Sequence, residues 1–432
     1  MPLARGCARL MPMAARSLRI ALVSYHTSPF EPLGTGEAGG MNVVIAHHAQ
    51  ELAARGHEVE ILTRRADTSS PEVENIAPRL RLRYLPAGEP RRYPKGELNA
   101  FVSEFSRAMR ELARRDGVAP RCRWDLVHAH HWMSALAAEE TVIGERLPLV
   151  FSYHSIAAPC GATLADGEPA ENPARLAGEE RAAQLAHRVV AVSQYEAATV
   201  AERYAACSTH TTVLLPGVDC DMFHPLAEDP PGVVGALPVD ELLPEGPYLA
   251  VAARLQPLKG IDLAIEALAR VAPEHRPILV ISGTAAEDYS GYESALREGV
   301  ARLGLHDDVR FIGACARGCL ARTLRRSLAV LVPSHTETFG LIALEAAASG
   351  VPVIASEVSG LREAVVHGKT GLLVPNRDPA SWAAAIESLV NDPDYAARLG
   401  AAGRRRALTL SWQRAVDGLE KVYDEVVEEF YA

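Results

Sequence analysis

Short β-rich apolar runs alternate with amphipathic helical stretches along the whole chain, and that alternation restricts the fold more than any other feature. The first run, residues 18–25, is followed by a Gly-rich loop over 26–40 and a helical pattern over 41–55. Within that pattern Ile45, Ala49, Leu52 and Ala53 fall at i, i+4, i+7 and i+8, one face of a helix. A second run at 58–63 closes a βαβ unit, and further strands are predicted at 126–129, 149–153, 189–192 and 212–215. Such alternation belongs to a parallel sheet covered by helices on both faces.

A stretch holding Pro225, Pro230, Pro231, Gly232 and Gly235 interrupts this order, and the order then restarts. The second series predicts strands at 248–252, 278–282, 309–312, 329–332 and 351–355, with helices at 261–270 and 341–348. A Pro/Gly-rich break between two complete α/β patterns marks a domain boundary, placed here between 216 and 243. A chain of 432 residues suits two domains of about 200 residues better than one core. The expected architecture is α/β, with two doubly wound Rossmann-like domains facing each other across a cleft. The first spans 18–222 and the second 223–410; a final helix over 411–432 is free to pack back on the first. Residues 1–17, rich in Arg and Ala, read as a disordered extension without the apolar core of a secretory signal. Ligands of such sheets sit at the carboxyl ends of the strands, which puts the expected site between the domains.

Composition removes several function classes. Acidic residues outnumber basic ones 54 to 44, a formal charge of -10, and aromatics are only 6 %. Neither a general attraction to nucleic acid phosphates nor a base-stacking surface is expected. No apolar run reaches the roughly 18 residues of a membrane span. The seven cysteines are scattered without a C-x-x-C pair, which suits reduced thiols and a cytoplasmic location.

Three segments carry chemistry. Residues 333–345 run from the end of a strand through a loop with Glu337 into a helix that starts near Gly340 and contains Glu345. A helix start, with free N–H groups and a positive dipole end, suits a diphosphate. Glu345 would lie roughly 8 Å further along, within reach of ribose hydroxyls. The loop after the predicted strand 248–252 carries Arg254 and Lys259, cations matched to phosphate oxygens. The loop holding Gly34, Gly36, Gly39, Gly40 and Asn42 lacks the spacing of a dinucleotide fingerprint, yet it can form a close-approach wall.

In this order and spacing the three segments resemble the retaining glycosyltransferases of family 4, which have the GT-B fold, over nearly the whole chain. Glu337 and Glu345 are similar to that family's E-x7-E motif. The likeness implies that Glu345 holds the donor ribose, that Glu337 meets the transferred sugar, and that Arg254 and Lys259 clamp the diphosphate. It extends the donor contacts to Gly39, Gly40, Asn42, Phe339, Gly340 and Leu341, and the reaction centre to His154.

The segments His26-Thr27-Ser28-Pro29, 34–43 and 163–168 resemble one branch in particular. Its members transfer N-acetylglucosamine from UDP-N-acetylglucosamine to inositol phosphate in mycothiol synthesis. There a Lys, a Tyr, a Thr and an Arg grip the acceptor phosphate; the matching positions here hold Lys95, His131, Ser155 and Arg175. His26 and Asn42 complete the acceptor side that the likeness implies. Two decoys remain: His128-Ala129-His130-His131 has no fourth ligand nearby, and Asp219-Cys220-Asp221 reads as a turn. With cations already at the diphosphate, no metal cofactor is required, although magnesium is compatible. The expected partners are a nucleotide sugar and a small polar acceptor, with a homodimer left open. Rival readings are a sugar-phosphate acceptor, as in sucrose-phosphate synthases, an aminocyclitol acceptor, or a nucleotide-sugar epimerase.

Overall fold

The computed structural model describes residues 17–32, 38–115, 122–158, 164–168, 171–207, 210–228, 238–285 and 287–432. Gly34 and Gly36 of the glycine loop, Thr163, and the expected extension up to residue 16 lie outside the described residues.

The first sheet contains β1 (Arg19–Val23), β2 (Glu58–Arg64), β3 (Val73–Ala77), β4 (Leu80–Leu85), β5 (Leu126–His130), β6 (Leu149–Ser152), β7 (Arg188–Ala191) and β8 (Thr211–Val213). Its order is β3-β4-β2-β1-β5-β6-β7-β8. The second contains β9 (Tyr248–Ala252), β10 (Ile278–Ser282), β11 (Val309–Gly313), β12 (Ala329–Val332), β13 (Val353–Ser356) and β14 (Gly371–Val374), ordered β11-β10-β9-β12-β13-β14. Strand order reverses between β1 and β5 in one sheet and between β9 and β12 in the other, which opens a crevice at each point.

Alternate residues of the central strands feed opposite cores. Ala21 and Val23 join one apolar cluster while Ile20 and Leu22 join another. Leu249 and Val251 divide from Tyr248 and Ala250 in the same way. Burial on both faces is why these strands read as continuous apolar runs.

One pair departs from the expected parallel order. β3 runs antiparallel to β4 at the sheet edge, joined through Arg79, whose φ is 63°. Its sequence, VENIA, is largely exposed and lacks an apolar run to announce it. β4 and β14 are likewise additional to the strands that the sequence pattern predicts.

The chain passes between the two sheets twice, and the passages lie side by side. Val218 N donates to Leu410 O at 2.9 Å. Gly217 comes so close that a Cβ there would sit 2.3 Å from Trp412 N. Beyond this point the last helix, Trp412–Tyr431, lies on the first sheet. Val416, Leu419, Val422 and Val426 pack there with Ile20, Leu22, Ile45 and Leu52. Among the described residues no helix is long and apolar enough to cross a membrane.

This last helix completes a core whose first strand lies some 400 residues earlier. Leu419→Ala in that fully buried position is expected to cost about 2–5 kcal/mol. Urea unfolding measures it, and a loss below about 0.5 kcal/mol, typical of a surface change, would contradict the packing described.

Candidate functional site

The loops after β9 and β12 are neighbours because their strands pair directly. The β9 loop turns through a short 3-10 helix, Pro257–Lys259, and Gly260 follows with φ 63°. A Cβ on Gly260 would lie 2.1 Å from Pro333 O, so the missing side chain is what lets the two loops touch. His335 N donates to Leu258 O at 2.9 Å and locks the contact. Lys259 Nζ thereby reaches Glu337 Oε1 at 2.5 Å, and Ser334 Oγ donates to the same oxygen at 3.0 Å. The backbone N of Glu337 donates to Ser359 Oγ at 2.9 Å.

Gly340, with φ 97°, starts the helix Leu341–Ala348. Glu345 sits on its second turn, buried, and forms an ion pair with Arg317. Burial raises the carboxyl pKa and the Arg317 charge opposes that rise. The Arg317 guanidinium in turn lies over the Phe223 ring, 4.7 Å from its centroid. Arg254, Lys259, Arg317, Glu337 and Glu345 line one cleft with about 1050 Å³ of empty space. Gly39 and Gly40 form the opposite wall; a Cβ on Gly39 would stand 3.7 Å from Arg254 Nε. Asn42 serves that wall from below. Its Oδ1 accepts from Gly39 N at 3.0 Å, and its Nδ2 donates to Thr27 Oγ1 and Ser28 O at 2.9 and 2.7 Å.

Two expected donor contacts differ in role. Phe339 is 1 % exposed and its ring belongs to the core beneath the loop, so it shapes the loop rather than lining the cleft. Asn42 is fully buried and its amide is engaged by the chain. Gly40, Gly340 and Leu341 do line the cleft.

Above the first sheet, the loops after β1, β5 and β6 bring His26, His131 and His154 together. The His26 and His131 rings are 4.5 Å apart, and His131, directly after β5, takes φ 73° at the N-cap position of the helix Trp132–Gly144. His154 also has positive φ, 59°. Non-glycine residues held in this region commonly sit at functional sites. Arg175 extends from the helix Pro173–Leu185 to donate to Ser155 Oγ at 3.2 Å, while Glu171 and Glu179 pair with it at 3.2 and 2.8 Å.

Charge converges on His26. Burial pushes its pKa well below the usual value, and the charges of Lys95, Arg254 and Arg175 push it further. One imidazole therefore feels Arg254 from the second half together with Lys95 and Arg175 from the first. For His131, burial and then Lys95, His26 and Arg175 act in the same direction. His26 Nδ1 and both ring nitrogens of His131 are buried with no hydrogen-bond partner among the described residues.

The halves meet above this point. Glu168 accepts from Leu258 N and from Tyr289 Oη, both at 2.8 Å, so the first half holds the loop that carries Lys259. Thr338 Oγ1 donates to His154 O at 3.2 Å, and Ser193 Oγ donates to Thr338 O at 2.6 Å. Of the decoys, Asp219 Oδ1 accepts from the backbone N of Asp221 and Met222 and closes a turn. His128 uses its two nitrogens on Tyr423 Oη and Ser152 Oγ, at 2.7 and 3.0 Å.

Sequence reasoning missed Arg317 and the bridging role of Glu168. Arg317 follows β11, so its place beyond a strand's carboxyl end was the available signal. Arg317→Ala leaves a buried carboxylate unpaired, which typically costs about 3–5 kcal/mol. It also raises the folded-state pKa of Glu345 further. A raised carboxyl destabilises the fold above its unfolded value, about 4.3, and the penalty vanishes once both states are protonated. Urea unfolding is expected to show a larger deficit at pH 8 than at pH 5; equal deficits would contradict the pairing.

Residues 38–222 match the family described as Glycosyltransferase Family 4, and residues 238–406 match Glycosyl transferases group 1. The D-inositol 3-phosphate glycosyltransferase of Geodermatophilus obscurus is 37 % identical over 431 residues, covering 98 % of this chain and 93 % of that protein. The enzyme of the same name from Jonesia denitrificans is 36 % identical over 415 residues, covering 94 % and 96 %. Among solved structures, sucrose-phosphate synthase from Thermosynechococcus elongatus superposes with a TM-score of 0.83 at 28 % identity, covering 95 % of this chain and 99 % of that one. HepE from Anabaena, solved with UDP and glucose, has a TM-score of 0.71 at 19 % identity, covering 94 % and 99 %, and shares the fold. With both halves matched and relatives alike along nearly its whole length, the chain belongs to the family 4 and group 1 glycosyltransferases, nucleotide-sugar-dependent enzymes of the GT-B fold.

Proposed function

We propose that this glycosyltransferase moves N-acetylglucosamine from UDP-N-acetylglucosamine to an inositol phosphate in the cytoplasm, with retention of anomeric configuration. The observation that carries the reading is the convergence on His26 of Arg254 from the donor side with Lys95 and Arg175 from the acceptor side. In this reading a diphosphate and a phosphorylated acceptor each meet cations whose charge reaches this one buried, neutral imidazole. The name borne by the Geodermatophilus and Jonesia relatives supports the acceptor.

In this reading the donor diphosphate lies by Arg254 and Lys259, Glu345 holds the ribose hydroxyls, and Glu337 holds hydroxyls of the sugar. His154 contacts the transferred sugar; Lys95, His131, Ser155 and Arg175 hold the acceptor phosphate. As the bond between the anomeric carbon and the diphosphate oxygen breaks, negative charge grows on the leaving group. Lys259 and Arg254 stabilise that charge more than the ground state, which raises rate. The acceptor oxygen bonds to the same face of the anomeric carbon, and its proton passes to the leaving phosphate oxygen. The cations supply the charge a metal would otherwise bring, so no cofactor is required, although magnesium is compatible.

The likeness to sucrose-phosphate synthase favours a second reading, a sugar phosphate as acceptor, which the same basic corner would serve. Incubation with UDP-N-acetylglucosamine and D-inositol 3-phosphate is expected to give UDP and an α-glycoside. Lys259→Ala is expected to lower kcat by about 10²–10³-fold. Lys95→Ala and Arg175→Ala should raise KM tenfold or more for the phosphorylated acceptor and little for free inositol. Equal effects on both acceptors would remove the phosphate from that corner, and turnover only with a hexose phosphate would favour the second reading.

A further inference from the structure

His154 has a buried neighbour that the proposed reaction does not use. His130 Nδ1 lies 2.8 Å from His154 Nε2, a hydrogen bond that carries a single proton when both rings are neutral. Burial keeps them neutral: the His154 pKa falls to about 3, and that of His130 falls well below its usual value.

Two proton arrangements satisfy this bond, and they differ at the far nitrogen of His130. If His154 Nε2 were the donor, His130 would carry its own proton on Nε2. That nitrogen is buried with no partner among the described residues, so an N–H there would be orphaned. If His130 Nδ1 is the donor, Nε2 bears only an unfilled lone pair. Orphaned buried N–H groups are rarer than unfilled acceptors. The second arrangement leaves His154 with its proton on Nδ1, a nitrogen given no hydrogen bond among the described residues.

The rings are held from both ends. His128 and His130 share one face of β5, with ring centroids 4.1 Å apart. His128 is pinned by Ser152 and by Tyr423 of the last helix. His154 is fixed by its backbone, with φ 59° and its carbonyl bonded to Thr338 across the cleft.

We propose that His130 is a positioning residue that holds His154 as the Nδ1–H tautomer, so that His154 presents a hydrogen-bond donor and accepts only an oxygen acceptor from its ligand. The kinetic part rests on the reading of His154 as a donor-sugar contact; the tautomer does not.

The test labels histidine ring nitrogens with ¹⁵N in the intact protein and records long-range ¹⁵N–¹H correlations, with His154 assigned by loss of its signals in His154→Gln. The expected result is a protonated Nδ1 and a bare Nε2 on His154, and loss of that preference in His130→Leu. Protonation at Nε2 in the unaltered protein would overturn the proposal. In kinetics, His130→Leu should lower kcat tenfold or more with the donor KM within threefold. His130→Asn, whose amide N–H replaces Nδ1–H, should restore kcat to within about threefold. Equal losses in both variants would also overturn it. If no transfer of N-acetylglucosamine is detected while His154 is protonated on Nδ1, the reaction reading fails and the tautomer assignment stands.

Discussion

Lys259 and Glu337 come from different loops yet share a 2.5 Å contact, and the cleft is organised around that contact. It exists because β9 pairs with β12 and because Gly260 has no side chain to collide with Pro333 O. Each partner is less than one-fifth exposed. A lysine alone in such a place would lose hydration without recompense; beside Glu337 it has a counter-charge that also aims it. Arg317, after β11, and Glu345, on the helix after β12, repeat the device in the same cleft. The cleft is therefore built of acids and bases that hold each other in position, which is preorganisation by charge pairing.

The facing half works differently. Burial holds His26, His131 and His154 neutral, and for His26 and His131 nearby cations act in the same direction. Positive charge is left to Lys95 and Arg175 at the rim. The imidazoles therefore add no charge of their own between the cations of the two halves. Glu168 and Thr338 join the walls by hydrogen bonds that cross the cleft.

Much of this was legible in the sequence because it depends on short-range pattern. The twofold α/β alternation indicates two sheets, and position after a strand picks out Arg254 and Lys259. Alternation along β5 placed His128 and His130 on one face. What escaped has a physical cause in each case. β3 is an exposed edge strand with charged and amide side chains, so periodicity had nothing to register. Arg317 is one arginine among many until β11 is seen to deliver it to Glu345. Phe339 sits inside a functional loop by sequence, and only packing shows its ring turned into the core. Glu168 spends both carboxylate oxygens on the other half, a contact between residues 90 and 121 positions apart.

The central claim is that charged side chains of the second half bind one nucleotide in the cleft. Calorimetric titration of UDP into the intact protein tests it most directly. The account predicts one UDP per chain, with affinity lowered at least tenfold, about 1.4 kcal/mol, in Arg254→Ala and in Glu345→Gln. Undiminished binding in both variants would contradict it.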